Sequence, residues 1–267
     1  MAVLLDVYRA QFKVALALQL QYRVQLVIWL LFGLVQPVVH LTVWSVVAQA
    51  SGGSVGGYSG PELAAYFIAL MVVNHLVFTW ITYEFEFLVR QGTLAPRLLR
   101  PVHPIHWHVV DNLTYKALTM VVMLPAAGLM AAIFRPELHT SWWEVAAFVP
   151  ALALAFALRF LIEWSFALIG FWTTRVAAFN QALDTVAIFM SGYFAPLALL
   201  PPQLQVVANV LPFRWGLAFP VEVLLGRLSA GEVASGLAAQ AIWVGLAFVI
   251  MRLTWKAGVK QFSAVGA

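Results

Sequence analysis

Long apolar runs alternate with short polar segments along the whole chain. The hydrocarbon core of a bilayer is about 30 Å thick, so a helix that crosses it needs roughly 20 mostly apolar residues. Six runs meet this requirement and predict an all-α membrane protein with six transmembrane helices. The predicted spans are Val24–Ala48, Leu63–Tyr83, Val109–Phe134, Val145–Phe171, Val176–Leu200 and Leu237–Leu253. The fifth is the least regular, because Gly192 and Pro196 interrupt its end.

The composition agrees with this pattern. Of the 267 residues, 63% are hydrophobic and 10% are charged, whereas a soluble domain carries about 25% charged residues. A surface with so little charge cannot be mostly in contact with water. We therefore interpret residues 1–267 as a single transmembrane domain. The chain has no cysteine, which excludes disulfides and thiolate metal sites.

Two further segments are partly apolar but do not fit a span. In residues 1–22, the charged side chains of Asp6, Arg9 and Lys13 recur at helical spacing, which is typical of a helix lying in the membrane interface. A long first helix that begins in water is the alternative. In residues 191–235, prolines interrupt short apolar runs, which predicts either broken re-entrant helices in the outer leaflet or a folded outer loop.

The distribution of basic residues predicts the sidedness of the chain, because cytoplasmic segments collect Lys and Arg. With the N-terminus inside, the cytoplasmic segments hold eleven of the 15 Lys and Arg residues. Both termini are therefore expected in the cytoplasm, and sidedness rather than a nucleic-acid partner accounts for the net charge of +4. The eleven residues are Arg9, Lys13, Arg23, Arg90, Arg97, Arg100, Lys116, Arg175, Arg252, Lys256 and Lys260.

The predicted loop between the second and third spans contains His103, His106 and His108. A zinc site needs three or four converging ligands, but Pro104 interrupts any helix joining the first two, and no carboxylate follows at the usual spacing. This pattern favours interfacial histidines over a metal site. The chain also has no G-x-x-x-x-G-K-[ST] motif, so any ATP it depends on must be hydrolysed by another polypeptide.

Three charged residues lie inside predicted spans: Arg159 and Glu163 in the fourth, and Asp184 in the fifth. Such residues are costly in a bilayer and usually face protein or water. The spacing of Arg159 and Glu163 predicts that they neutralise each other across one helical turn. They are either a structural pair or part of a translocation path or subunit seam. An ion-coupled transporter that protonates Asp184 or Glu163, or an intramembrane metalloenzyme that uses these charges or the histidines, is the alternative.

The segment "GTLAPRLLRP", residues 92–101, resembles the G-x-L-x-x-x-L-L-x-P stretch of type-2 ABC exporter permeases. Its position after the second span, the N-terminal helix and the proline-broken outer segment extend the resemblance over nearly the whole chain. The resemblance implies a permease of the bacterial cytoplasmic membrane that pairs with a copy of itself or with a similar permease. Two ATP-binding cassette subunits would hydrolyse ATP with Mg²⁺, and the permease itself would carry no cofactor or catalytic residue.

The resemblance also implies that residues 84–108 form a cytoplasmic coupling loop whose short helix docks on the ATPase, beside an N-terminal elbow helix. Gly92 permits a sharp turn, and Pro96 fits the first turn of a helix. Three leucines would form an apolar ridge flanked by arginines. The coupling residues are Gly92, Leu94, Arg97, Leu98, Leu99, Arg100 and Pro101. The apolar spans suggest a lipid, a glycolipid or a hydrophobic compound as substrate.

Overall fold

The computed structural model describes residues 2–173 and 176–262 and is almost entirely helical in this part of the chain. A short antiparallel hairpin is the only sheet among the described residues. Its strands, β1 (Ser54–Val55) and β2 (Tyr58–Ser59), have two residues each. The first six helices are α1 (Ala2–Gln21), α2 (Arg23–Ala50), α3 (Gly60–Val77), α4 (Ile81–Arg90), α5 (Ala95–Leu98) and α6 (Ile105–Phe134). The others are α7 (Trp142–Ala167), α8 (Val176–Met190), α9 (Pro202–Val210), α10 (Pro212–Gly216), α11 (Ala218–Leu224) and α12 (Ala230–Gln261).

The fold is that of an all-α membrane protein, as predicted. Within the described residues, five helical segments are long and apolar enough to cross a bilayer. They correspond to predicted spans one to four and six. The five are Arg23–Ala50, Gly60–Arg90, Ile105–Phe134, Trp142–Phe171 and Ala230–Gln261.

Two predicted spans need correction. The fifth was expected to extend to Leu200, but α8 ends at Met190, just before Gly192 with its positive φ of 85°. At 1.5 Å per residue, the 15 residues of α8 cover only about 22 Å. The second predicted span, Leu63–Tyr83, is two helices, because residues 78–80 separate α3 from α4.

Helix α1 is separated from α2 by Tyr22 and packs across the beginning of α6. The Tyr8 hydroxyl lies 2.8 Å from His106 Nδ1, and Gln11 Nε2 donates to Asp111 Oδ1 at 3.0 Å. We call this end of the bundle, which also contains α5 and the C-terminal end of α12, the termini end. The opposite end, with the hairpin and α9–α11, is the hairpin end.

The segment at 191–235 forms short helices broken at prolines, as expected. Pro201 precedes α9, and Pro212 opens α10, positions at which the missing proline N–H costs nothing. Helix α11 is buried against α3 and α7. An ion pair of 2.9 Å between Arg214 and Glu222 links α10 to α11. The insertion of this segment into a bilayer remains a prediction.

The buried side chains form two main apolar clusters. The hairpin-end core contains Leu41, Leu63, Phe67 and Met123 and reaches down to Val77. The termini-end core is rich in aromatic rings: Phe85, Phe160, Trp164 and Phe171. Between these two cores lies a layer of buried polar side chains.

Gly258 allows α12 to approach the termini-end core closely. A Cβ atom at this position would lie 2.1 Å from Phe171 Cδ2, whereas a Cβ at Gly245 of the same helix would meet nothing within 4 Å. Because Phe171 is held by other rings, we expect Gly258→Ala to lower the free energy of unfolding by about 1–3 kcal/mol. Thermal unfolding of the purified protein measures this change. Gly245→Ala is the control and should be neutral or slightly stabilising; equal melting of the two variants would contradict the prediction.

Candidate functional site

The segment after α4 makes the predicted turn. Gly92 has a φ of 68°, which a side chain would disfavour, and the Leu94 N–H donates to the Leu88 carbonyl at 3.2 Å. The four-residue helix α5 follows, with Pro96 in its first turn. The short helix expected from the sequence is therefore present.

The predicted apolar ridge, however, is wrong. Leu94 is fully buried in the termini-end core, and Leu98 packs against the same core. Of the three leucines, only Leu99 projects from the segment, with 89% of its surface exposed. The turn at Gly92 folds the beginning of the segment back onto the termini-end core. Two of the three leucines therefore anchor the segment, and the third is exposed at the surface.

The two arginines also contact the protein. The guanidinium groups of Arg97 and Arg100 lie 5.7 and 5.2 Å from the ring centroid of Trp107, at distances typical of cation–π contacts. Burial lowers the pKa of Arg97 from its ordinary value, while Asp111 and Glu84 act in the opposite direction. Trp107 thus fixes α5 to the beginning of α6, and Pro101 remains exposed after it.

The three histidines of this segment point to different partners. His103 Nδ1 accepts the Ile105 N–H at 3.2 Å, and its ring lies 4.2 Å from that of Trp255. Burial lowers the pKa of His103 to about 4, with a smaller contribution from His106, so His103 is neutral at pH 7.

His106 contacts α1 through Tyr8, whereas His108 Nδ1 lies 3.1 Å from Glu84 Oε2 on α4. The described residues contain no group of three His, Asp or Glu side chains arranged to hold a metal ion. The three histidines therefore hold α1, α4 and α12 against the beginning of α6, each at a separate point.

The charged residues of α7 and α8 do not pair as predicted. Arg159 forms an ion pair of 3.0 Å with Asp184 on α8 rather than with Glu163, one turn away on its own helix. Asn180 Nδ2 donates to the other oxygen of Asp184 at 3.0 Å. The expectation of a pair within one helix is corrected to a pair between two helices.

Glu163 instead contacts the gap between α3 and α4. It accepts hydrogen bonds from the Thr79 hydroxyl and from the Thr82 N–H, the latter at 3.4 Å. Thr82 also donates through its hydroxyl to Asn180 Oδ1 at 3.2 Å. A continuous set of hydrogen bonds therefore links the first turn of α4 to the Arg159–Asp184 pair.

Lys116 is the important residue that the sequence analysis misplaced. It was counted among the cytoplasmic charges, but it lies in the fourth turn of α6 with 4% of its surface exposed. Its ammonium donates to the Phe78 carbonyl at 2.8 Å and to Asn112 Oδ1 at 3.2 Å. Its position inside a predicted span was the available signal. Arg175, counted with it, lies outside the described residues.

A cavity of about 260 Å³ opens beside this polar layer, between α3, α7, α8 and α10. Apolar side chains make most of its wall. Tyr193 donates to Gln36 Oε1 at 2.5 Å at its edge, which joins the loop after α8 to α2. The polar groups that line the cavity include Asn74, Arg159, Glu163, Asn180 and Asp184. It thus brings together the three intramembrane charges that the sequence singled out.

The comparison with known families decides what kind of protein this is. A family model described as ABC-2 family transporter protein matches residues 34–266. The chain belongs to the ABC-2 transporter family. The match begins within α2 and includes α5, the polar layer and the cavity. Among curated proteins, none matches the chain.

As an ABC-2 permease, the chain is the multi-pass membrane subunit of a transporter, and membership of this family implies association with an ATP-binding cassette subunit. The type-2 ABC permease expected from residues 92–101 is thereby confirmed. Two features of this permease bear on its function: the exposed tip of α5 at the termini end and the charged cavity in the middle of the bundle.

Proposed function

We propose that this ABC-2 permease exports an amphiphilic substrate across the bacterial cytoplasmic membrane. Separate cassette subunits bind ATP together with Mg²⁺ and hydrolyse the ATP. Both termini lie in the cytoplasm and α1 is the elbow helix. With five long spans, this sidedness requires α8 to cross as the sixth, although it covers only about 22 Å. The single observation that carries the proposal is the exposed Leu99 at the tip of a segment fixed to the core by Leu94 and Trp107. A fixed tip transmits force, whereas a mobile loop would absorb it.

In this proposal, the coupling loop expected at residues 84–108 is shortened to residues 91–104, because α4 extends to Arg90 and α6 begins at Ile105. Leu99 enters an apolar groove of the ATPase, and Arg100 and Pro101 contact its rim. Gly92, Leu94, Arg97 and Leu98 set the position of the tip. Closure of two ATP-bound cassettes then shifts the permease between packings open to either side, because nucleotide binds one arrangement more tightly than the other.

The cavity would be part of the translocation path. Apolar walls with a few convergent polar groups are typical of ligand sites, and they suit a lipid, a glycolipid or another hydrophobic compound with a polar group. Exposed apolar side chains on α2 and α8, such as Val35 and Phe189, border this region. We propose that they face a second permease, either a copy or a similar chain, so that the cavity lies near the interface between the two permeases.

Leu99→Ala tests the docking role. Loss of an apolar contact of this size should cost about 1–2 kcal/mol and weaken the binding of the ATPase about tenfold. Binding is measured by titrating the purified permease in nanodiscs with its cassette subunit. The matched control is Leu138→Ala at the hairpin end, where Leu138 is 61% exposed. Unchanged ATPase affinity in Leu99→Ala, or an equal loss in Leu138→Ala, would remove the docking assignment.

A further inference from the structure

The break between α3 and α4 has no local cause in the sequence. Sharp interruptions of helices occur at proline, at glycine or where a side chain inserts into the backbone ladder. Neither proline nor glycine occurs from Glu62 to Gln91, yet the helix stops at Val77 and resumes at Ile81. Groups elsewhere in the protein must therefore hold the break open.

Lys116 and Glu163 are those groups. The ammonium of Lys116 binds the carbonyl of Phe78, the C-terminal capping residue of α3. The carboxylate of Glu163 receives the Thr82 N–H in the first turn of α4 and the hydroxyl of Thr79 within the break. Trp80, at the N-cap of α4, provides no side-chain cap of its own.

The signs of the two charges match the two helix ends. A helix carries partial negative charge at its C-terminus and partial positive charge at its N-terminus. The cation thus lies at the end of α3 and the anion at the start of α4. Both side chains are buried, with 4% of each exposed, and they come from different helices, α6 and α7. Rejoining α3 and α4 would deprive both of these backbone partners.

The break also separates the two apolar cores. Val73 and Val77 of α3 belong to the hairpin-end core, while Ile81 and Phe85 of α4 belong to the termini-end core. Leu94 packs in the termini-end core as well. Helix α4 is therefore attached to the segment that carries Leu99, and α3 is attached to the opposite half of the bundle.

We propose that Lys116 and Glu163 are positioning residues that keep the second span divided at residues 78–80, so that the division is a hinge between α3 and α4. This inference rests on the proposed coupling function. A push on α5 tilts α4 relative to α3, and the bonds from Thr82 through Asn180 to Asp184 carry that tilt to the cavity wall. An unbroken second span would instead join α3 rigidly to α4 and to the segment that carries Leu99.

The test measures movement across the hinge in the complete permease–ATPase complex in nanodiscs. Because the chain has no cysteine, a cysteine pair at Gln91, next to α4, and Leu138, at the hairpin end, can carry spin labels; both positions are exposed. Labelled permease is diluted with unlabelled permease so that distances within one chain dominate. Double electron–electron resonance then gives the distance between the two spin labels, without nucleotide and with ATP plus vanadate.

The unsubstituted complex should show a nucleotide-dependent change in this distance. Lys116→Met and Glu163→Gln should abolish most of the change while ATPase binding persists. Lys116→Arg, which keeps the cation, should restore it. Lys256→Met is the matched control, because Lys256 is an exposed cation at the termini end, and it should leave the change intact.

Each result that contradicts these expectations has a different consequence. Variants that move like the unsubstituted complex would reduce Lys116 and Glu163 to a structural role. If Lys116→Met does not assemble, the isosteric Glu163→Gln and the conservative Lys116→Arg decide the question by the same measurement. No distance change in an unsubstituted complex that hydrolyses ATP would overturn the hinge while leaving the docking proposal in place. A permease that purifies with no ATPase contradicts the proposed function instead.

Discussion

Replacing Trp164 with alanine should lower the free energy of unfolding by about 3–5 kcal/mol, the usual cost of emptying the site of a large buried ring. Trp164 is fully buried in the termini-end core. Its ring packs against those of Phe85, His108 and Trp255. Helices in a membrane are held together largely by close packing, so a cavity at this point removes contacts that lipid cannot replace. The measurement is unfolding of the purified permease in detergent, followed by circular dichroism.

The matched control for this change is Trp142→Ala. Trp142 is 84% exposed, and its removal should change stability by no more than about 0.5 kcal/mol. Similar unfolding curves for the two variants would show that the termini-end core does not organise the fold. Since Leu94 and Leu98 rest on this core, Trp164→Ala should also weaken ATPase binding more than Trp142→Ala does.

Asp184→Asn should sharply reduce ATP hydrolysis by the reconstituted transporter and lower its unfolding temperature. The substitution leaves Arg159 without its ionic partner in the cavity wall, where an uncompensated arginine costs about 2.5–3.5 kcal/mol on membrane-insertion scales. The shape of the side chain is nearly unchanged, so the effect is electrostatic. Hydrolysis is measured in vesicles made from the lipids of the native membrane, and unfolding is measured on the same preparation.

Exchanging the two charges, in Arg159→Asp with Asp184→Arg, should recover stability, because the pair is restored in reverse. Arg252→Gln provides a control, since Arg252 is an exposed cation on α12 and its loss should change neither quantity. Full activity and stability in Asp184→Asn would contradict the role of the pair. Recovery of stability without recovery of hydrolysis would indicate that the cavity requires each charge in its own place.

The segment at 92–101 shows how far local sequence reaches. The turn at Gly92 and the short helix containing Pro96 follow from backbone stereochemistry, and both were predicted correctly. The outward ridge of leucines was predicted wrongly. Leu94 packs against side chains of α4, on the other side of the turn, and of α7, which is distant in sequence. Local sequence therefore does not indicate which way Leu94 points. Local geometry gave the shape of this segment, and the neighbouring core decided which side chain it presents.

The sequence alone determined that the chain is a helical membrane protein, where most apolar helices lie and which segment resembles a coupling loop. These properties depend on hydropathy and on the stereochemistry of adjacent residues. Only the tertiary structure decided that Arg159 pairs with Asp184, that Lys116 is buried, and that the second span divides at residues 78–80. Buried polar groups must each find a partner, and that partner is set by which helices meet in space, not by spacing along one helix.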